Sequence, residues 1–153
     1  MSKLLIVHHT VSPATSEILD AAKSAFDLEE LSDVEVIARP ALVASAIDTL
    51  EADGVVLLTP VNIGYLSGAM KHYFDQIYYP CLDATKKLPF AAVLHSNLDA
   101  SGALRALDAI TTGMEWTQVA EPLLVTGAID AGVREQITEL AGTVGAYAAG
   151  LID

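Results

Sequence analysis

The sequence predicts an α/β protein with three layers: a doubly wound, parallel, five-stranded sheet between two layers of helices. Short apolar runs rich in β-branched residues alternate with longer segments of helical periodicity, which is typical of parallel strands joined by crossover helices. The first run, residues 4–7, is apolar throughout, as a strand covered on both faces is. No repeat, linker or low-complexity segment interrupts the 153 residues, so we expect one domain, residues 1–153.

Five segments fit the strands of this alternation. They are residues 4–7, 34–38, 54–59, 90–95 and 118–125. Pro122 in the last segment has no amide hydrogen for a strand ladder, so we expect this strand at an edge of the sheet. Pro80 and Pro89 are expected to bracket a surface loop before the fourth strand.

Five helices are expected to connect or follow these strands. The first begins at Pro13 behind a Ser12 cap, and its helical spacing places Ile18 and Ala22 on one face. The other four cover residues 44–52, 66–79, 102–112 and 131–151, with Gly113 ending the fourth.

Composition excludes several classes of protein. Twenty acidic residues against eight basic ones give a net charge of −12, which argues against binding to nucleic acid or to an anionic membrane surface. The negative charge either only keeps the protein in solution or also steers a basic redox partner towards it. Cys81 is the single cysteine, so no internal disulfide can form. The apolar run at the N-terminus is too short for a signal peptide, and a cytoplasmic location is expected.

Two loops that follow predicted strands have unusual compositions. Ligands of open α/β sheets bind outside the carboxyl ends of the strands. The loop after the first strand carries hydroxyl residues, among them Thr10, Ser12 and Thr15, at the amino end of a helix. That position favours an anion, although Ser12 could equally be only a helix cap. The loop after the third strand contains Gly64, which lets the backbone approach a flat ring closely.

The loop after the fourth strand, residues 96–102, opens another helix. Asp99 in this loop could lie near a ligand ring or could cap the helix towards solvent. Tyr65 of the preceding loop could cover a ring face or pack partly in the core. His8 and His9 follow the first strand, where packing is favoured over contact with a substrate. No spacing of histidine and cysteine suggests a metal site.

These motifs resemble the flavodoxin-like family, in particular its branch of NAD(P)H-dependent FMN reductases and quinone reductases. Residues 53–76 are the most specific part, and they are similar to the second flavin-binding loop of that branch. The pattern Thr-Pro-x-x-x-Gly-x-x-x-Gly-x-x-Lys is matched by Thr59, Pro60, Gly64, Gly68 and Lys71. Similar proteins from actinobacteria are usually called flavodoxin-family proteins or FMN reductases.

The sequence matches the hydroxyl residues of the family's phosphate loop but differs from that loop at two other positions. The pattern Thr10-x-Ser12-x-x-Thr15 is similar to that loop, in which hydroxyl residues hold the FMN phosphate. Pro13 and Ala14 stand where the family usually has Gly-Asn. Because proline has no amide hydrogen, one backbone donor is lost there.

The resemblance implies strand order 2-1-3-4-5, FMN as cofactor and no catalytic side chain. Electrons would pass from NAD(P)H through the flavin to a quinone or another small acceptor. Partners would include a second copy of the chain in a homodimer or homotetramer, and neither nucleic acid nor membrane. The implied cofactor-binding residues are Thr10, Ser12, Ala14, Thr15, Pro60, Val61, Asn62, Ile63, Gly64, Tyr65, Ser96, Asn97, Asp99 and Gly102.

Two alternative functions stay open. One is an electron carrier of the flavodoxin type, for which the sequence shows no obvious pair of aromatic rings beside the second and third loops. The other is a scaffold of the same fold that has lost FMN, which the proline in the first loop makes conceivable.

Overall fold

Strands and helices alternate along the whole chain. The structure is a computed structural model that describes residues 1–153. Its strands are β1 (Lys3–His8), β2 (Glu35–Pro40), β3 (Gly54–Asn62), β4 (Tyr65–Leu66), β5 (Pro89–His95), β6 (Thr117–Gln118) and β7 (Leu123–Val125). Its α-helices are α1 (Pro13–Ser24), α2 (Ala46–Leu50), α3 (Gly68–Cys81), α4 (Ser101–Gly113) and α5 (Ala131–Ala148), with two short 3-10 helices at Ala25–Asp27 and Glu29–Leu31.

The sheet has the predicted topology. Its strand order is β2-β1-β3-β5-β6, and all neighbours on this path are parallel. If the short hairpin strand β4 is set aside, this order is the predicted 2-1-3-4-5. The sequence predicts five strands, whereas the structure contains seven.

The predicted fifth strand is divided in two. β6 pairs with the start of β5, and β7 pairs with its end. Pro122 lies in the gap between them, where it cannot donate to the carbonyls of β5. Because both pieces pair only with β5, the expected position at the sheet edge is confirmed.

Other boundaries differ from the sequence-based expectations for local reasons. α2 is only five residues long, and the Ser45–Asp48 capping box fixes its start. Pro80 lies in the last turn of α3 and not in a surface loop. α5 ends at Ala148, three residues before the predicted end, because Gly150 adopts φ +73 and stops the helix.

Two apolar clusters cover the two faces of the sheet. Side chains alternate along β1, so that Leu5 and Val7 face the layer of α3 and α4, whereas Leu4 and Ile6 face α1 and α5. Trp116 belongs to the first cluster, and its indole nitrogen donates to Thr85 Oγ1 at 2.9 Å. No helix combines the length and the apolar composition that a membrane crossing requires.

Candidate functional site

The candidate site lies at the carboxyl edge of three adjacent strands. β1, β3 and β5 are neighbours in the sheet, so the loops that follow them lie side by side. The amide of His9 donates to Leu58 O at 3.0 Å, which ties the start of the first loop to β3. The residues predicted to bind a cofactor belong to these loops, to the helix starts behind them, or to the hairpin strands: Pro60, Val61 and Asn62 lie in β3, which extends three residues beyond its predicted end, and Tyr65 lies in β4.

The first loop is held by an internal hydroxyl network. Thr15 Oγ1 accepts hydrogen bonds from the amides of Val11 and Ser12 at 3.0 and 2.9 Å, and donates to Ser12 O at 3.0 Å. The amide of Thr15 donates to Ser12 Oγ at 3.1 Å, which completes a capping box. Thr15 therefore has no hydroxyl hydrogen left for a ligand in this arrangement, and its predicted role in phosphate binding stays a prediction.

Two backbone amides of the first loop remain without an acceptor. Those of Thr10 and Ala14 make no hydrogen bond within the protein. The first turn of α1 contains no acidic residue that would repel an anion. A helix start with free amides favours a negatively charged group. The Glu17 carboxylate of α1, beyond this first turn, lines the same groove as Ser12, Pro13 and Ala14.

The second loop is a tight β-hairpin. Asn62 pairs with Tyr65, and the two residues between them, Ile63 and Gly64, have φ +52 and +71. Two positive φ values in a two-residue connection define a type I′ turn, whose twist matches that of the strands. Glycine suits such a turn, but a β-branched residue is strained there. The Ile63 side chain is fully exposed at the tip.

The hairpin is fixed from two sides. A Cβ atom on Gly102 would overlap the carbonyl oxygen of Gly64, so the start of α4 contacts the hairpin closely. Beneath the hairpin, the buried Thr59 hydroxyl donates to Ser67 Oγ at 3.1 Å, and Ser67 caps α3. Gly102 was predicted as a cofactor-binding residue, and the structure assigns it this packing role.

The third loop is organised by side-chain caps. Asp99 accepts from the amide of Ser101 at 3.1 Å and from its hydroxyl at 2.6 Å, and these bonds hold the pKa of the Asp99 carboxyl below its usual value. Asp99 therefore caps the turn before α4. Ser96 Oγ accepts from the amide of Leu98 at 3.1 Å, and Asn97 is exposed.

Each of the three loops exposes a large apolar side chain. Val11 in the first, Ile63 in the second and Leu98 in the third are 61%, 101% and 81% exposed. Tyr65 is 42% exposed, so part of its ring is accessible to a ligand. The apolar rim formed by Val11, Ile63, Tyr65 and Leu98 can contact a flat, apolar ring or a partner surface.

A groove of about 530 Å³ extends the site beyond these loops. It is lined by residues of the first and third loops, by Glu17 of α1 and His95 of β5, and by residues 127–129, which follow β7. His95 Nε2 lies 2.8 Å from Gly127 O and links the two sides. Residues 127–129 were not predicted as part of the site, although Gly127, two residues after the end of the apolar run 123–125, was a usable signal.

The two histidines after β1 differ in their contacts. His8 Nδ1 lies 2.8 Å from Thr10 Oγ1, and burial, assisted by Lys23 and His9, lowers the pKa of His8. His8 is therefore a satisfied packing histidine that is neutral at pH 7. His9 Nδ1 is buried without a hydrogen-bond partner, so His9 does not meet the expectation of a satisfied side chain.

Comparison with known proteins relates the chain to one fold. No protein-family model matches the sequence, and no curated protein matches it either. Among solved structures, an archaeal flavodoxin superposes with a TM-score of 0.82 at 12% identity, covering 96% of this chain and 99% of that one. A WrbA-like flavodoxin from Agrobacterium tumefaciens gives 0.77 at 15% identity, covering 98% and 99%.

A larger protein contains the same fold as one part. The rubredoxin oxygen:oxidoreductase of Desulfovibrio gigas superposes on all of this chain with a TM-score of 0.80 at 16% identity, but only 38% of that protein is covered. The identities are low, so the common property of these proteins and this chain is the architecture. The chain has the flavodoxin fold.

Proposed function

We propose that this chain is an FMN-binding oxidoreductase that passes electrons from NAD(P)H to a quinone or another small acceptor. The observation that supports this most is the pair of free amides at the start of α1, beside an apolar rim and at the carboxyl edge of β1 and β3. A phosphate next to a flat ring is the ligand chemistry that such a site suits.

The residues of the site fit FMN without a cation. The Thr10 and Ala14 amides would hold the phosphate, and the Ser12 hydroxyl would join them by turning away from Thr15 Oγ1, which lies 3.0 Å from it. The rim of Val11, Ile63, Tyr65 and Leu98 would contact the ring. Pro60, Val61, Asn62 and Gly64 would supply backbone and amide contacts to the ring edge, and Ser96, Asn97 and Asp99 would lie at its far side. When bound, FMN supplies the hydride and electron chemistry, so no acid–base side chain is needed.

Two variants of Ala14 test the phosphate site. Ala14→Pro removes the free amide in the first turn of α1, where proline is tolerated, and Ala14→Gly keeps it. Titration with FMN and with riboflavin separates the phosphate from the ring. We expect the native chain and Ala14→Gly to prefer FMN by on the order of tenfold or more, and Ala14→Pro to lose that preference. Equal binding of FMN and riboflavin by the native chain contradicts the proposed phosphate site.

The acceptor test distinguishes an enzyme from a carrier. Flavin-loaded protein is mixed anaerobically with NADH or NADPH, and a quinone is then added. Rapid bleaching of the flavin and catalytic turnover support the oxidoreductase. Reduction by dithionite in two well-separated one-electron steps, without reaction with either nicotinamide, supports a flavodoxin-type carrier instead.

The closed Ser12–Thr15 capping box and Pro13 favour a second candidate, a scaffold of this fold that has lost the cofactor. Absence of FMN binding to the native chain at micromolar concentration supports it. We also propose that a second copy covers the exposed rim when flavin is bound. A monomer by light scattering in the flavin-loaded state contradicts that assembly.

A further inference from the structure

A second groove lies on the α1–α5 layer, away from the candidate site. Its volume is about 590 Å³, and it runs along the exposed face of α5 between the 3-10 helices and the C-terminal residues. The groove begins near Glu135 and ends near Ala146, towards the amino edge of the sheet. Because α5 starts at the carboxyl edge and runs away from it, occupation of this groove leaves the candidate flavin site free.

The floor and walls of this α5 groove are apolar or small. Its floor is formed by Thr138, Gly142, Thr143 and Ala146 of α5. Its walls are Leu28, Leu31, Leu151 and Ile152, and three of these four remain well exposed: Leu28 (53%), Leu151 (57%) and Ile152 (46%).

The C-terminal wall is built by the end of α5. Gly150 donates to Tyr147 O at 3.1 Å and Leu151 donates to Ala146 O at 2.9 Å, which is the pair of bonds of a Schellman motif. This motif folds the chain back, so that Leu151 and Ile152 line the groove. A groove with several exposed aliphatic side chains is typical of a surface that another molecule covers.

The rim of the α5 groove is acidic and unpaired. Glu30, Glu135 and Glu139 line it, and none of them belongs to the four ion pairs of the chain. No lysine or arginine lines the groove. An adjoining cavity shares Glu30 and Leu151 with it and adds Asp33. The complementary surface is therefore basic around an apolar centre.

The length and the charge of the α5 groove indicate what kind of molecule binds there. The stretch of α5 from Glu135 to Ala146 is roughly 16 Å long, the length of three helical turns. Small residues along the floor allow close approach of a second helix, and the open shape suits a helix better than an enclosed small molecule. A second copy of this chain, with net charge −12, would bring further negative charge to the rim.

We propose that the α5 groove docks a basic amphipathic helix of a partner protein. Leucine-like side chains of that helix pack between Leu28 and Leu151, and its lysines or arginines pair with Glu135, Glu139 and Glu30. In this binding mode, apolar anchors at helical spacing lie in a groove and flanking charges set the orientation of the helix. The proposal does not depend on whether FMN binds.

A synthetic peptide tests the surface directly. The probe is a labelled helical peptide of about 14 residues, with leucines at i, i+3 and i+7 and lysines on both flanks. A scrambled peptide of identical composition controls for charge alone. Fluorescence anisotropy should show the amphipathic peptide binding the full chain at least about tenfold more tightly than the scrambled one. Equal binding of the two peptides overturns the proposal, because it would reflect net charge only.

Matched variants locate the binding. Glu135→Lys combined with Glu139→Lys should weaken peptide binding by on the order of tenfold or more. The control pair Asp83→Lys and Asp108→Lys makes the same charge change on the opposite layer and should have a much smaller effect. Gly142→Leu fills the floor without changing charge, and a Cβ atom there meets only ordinary contacts of 3.8 Å or more, so this variant should fold and bind weakly. Equal losses in the groove pair and the control pair overturn the assignment.

Discussion

Ile63 combines full exposure with a backbone conformation that β-branched residues avoid. Its φ of +52 is a left-handed value, and the neighbouring Gly64 shares it. Strain of this kind costs on the order of 1–3 kcal/mol and persists at sites where a side chain is needed in a particular place. Among the four rim residues, Ile63 is therefore the one whose presence at its position is least explained by folding stability.

Replacing Ile63 separates strain from function. Asparagine tolerates the left-handed conformation and is preferred before glycine in type I′ turns. Ile63→Asn should therefore raise the free energy of unfolding by about 0.5–1 kcal/mol and weaken flavin binding. Urea denaturation and FMN titration measure the two effects. Leu98→Asn, at another exposed position of the rim without positive φ, is the control and should leave stability within about 0.5 kcal/mol. Lower stability of the Ile63 variant contradicts the strain argument.

His8 gives the chain a pH dependence near neutrality. Because its pKa in the folded state lies below the unfolded value of 6.5, the unfolded state binds more protons as the pH falls. Stability is therefore complete above about pH 6.5 and decreases as the pH falls through that value towards the lowered folded pKa. His8→Gln should flatten the stability profile between about pH 7 and pH 5. An unchanged slope in denaturation experiments across that range would contradict this assignment.

At the scale of elements, Gly102 joins two of the predicted binding loops. Its lack of a side chain lets α4 start directly against the hairpin carbonyl of Gly64. Gly102→Ala should displace the two and lower the free energy of unfolding by about 1–3 kcal/mol. Gly68→Ala, in the first turn of α3 with no atom within 4 Å of its added Cβ, should be neutral or stabilising by up to about 1 kcal/mol. Thermal unfolding of both variants checks this, and equal effects would refute the packing role of Gly102.

The hairpin and the first loop show which features of the site can be predicted from the sequence and which cannot. The alternation of strands and helices and the edge position of the last strand followed from local hydrophobicity and from Pro122, whereas the strand order, and with it the adjacency of the three loops, was implied by the resemblance to the flavodoxin-like family. Residues 60–65 were predicted as a short loop between the third strand and the next helix and not as a β-hairpin, since Ile63-Gly64 is a poor local signal for a type I′ turn. Similarly, the hydroxyls of Ser12 and Thr15 fitted a phosphate loop, but only the three-dimensional arrangement shows that they cap one another.

At the scale of the whole molecule, most of the acidic side chains have no ion-pair partner. Twenty acidic side chains face eight basic ones, and only four ion pairs form, so most of the carboxylates repel one another in the compact state. Repulsion between exposed charges is weakened when the Debye length falls from about 30 to about 8 Å between 0.01 and 0.15 M salt.

Sodium chloride should therefore stabilise the fold over that range. We expect the melting temperature to rise by about 2–4 °C, the shift that about 1 kcal/mol produces in a domain of this size. The Asp83→Lys and Asp108→Lys double variant removes part of the repulsion, so its melting temperature should start higher and respond less to salt. Differential scanning calorimetry at fixed pH measures both. A melting temperature that falls with salt would mean that attractive ion pairs, and not the excess of carboxylates, dominate the electrostatics of the folded chain.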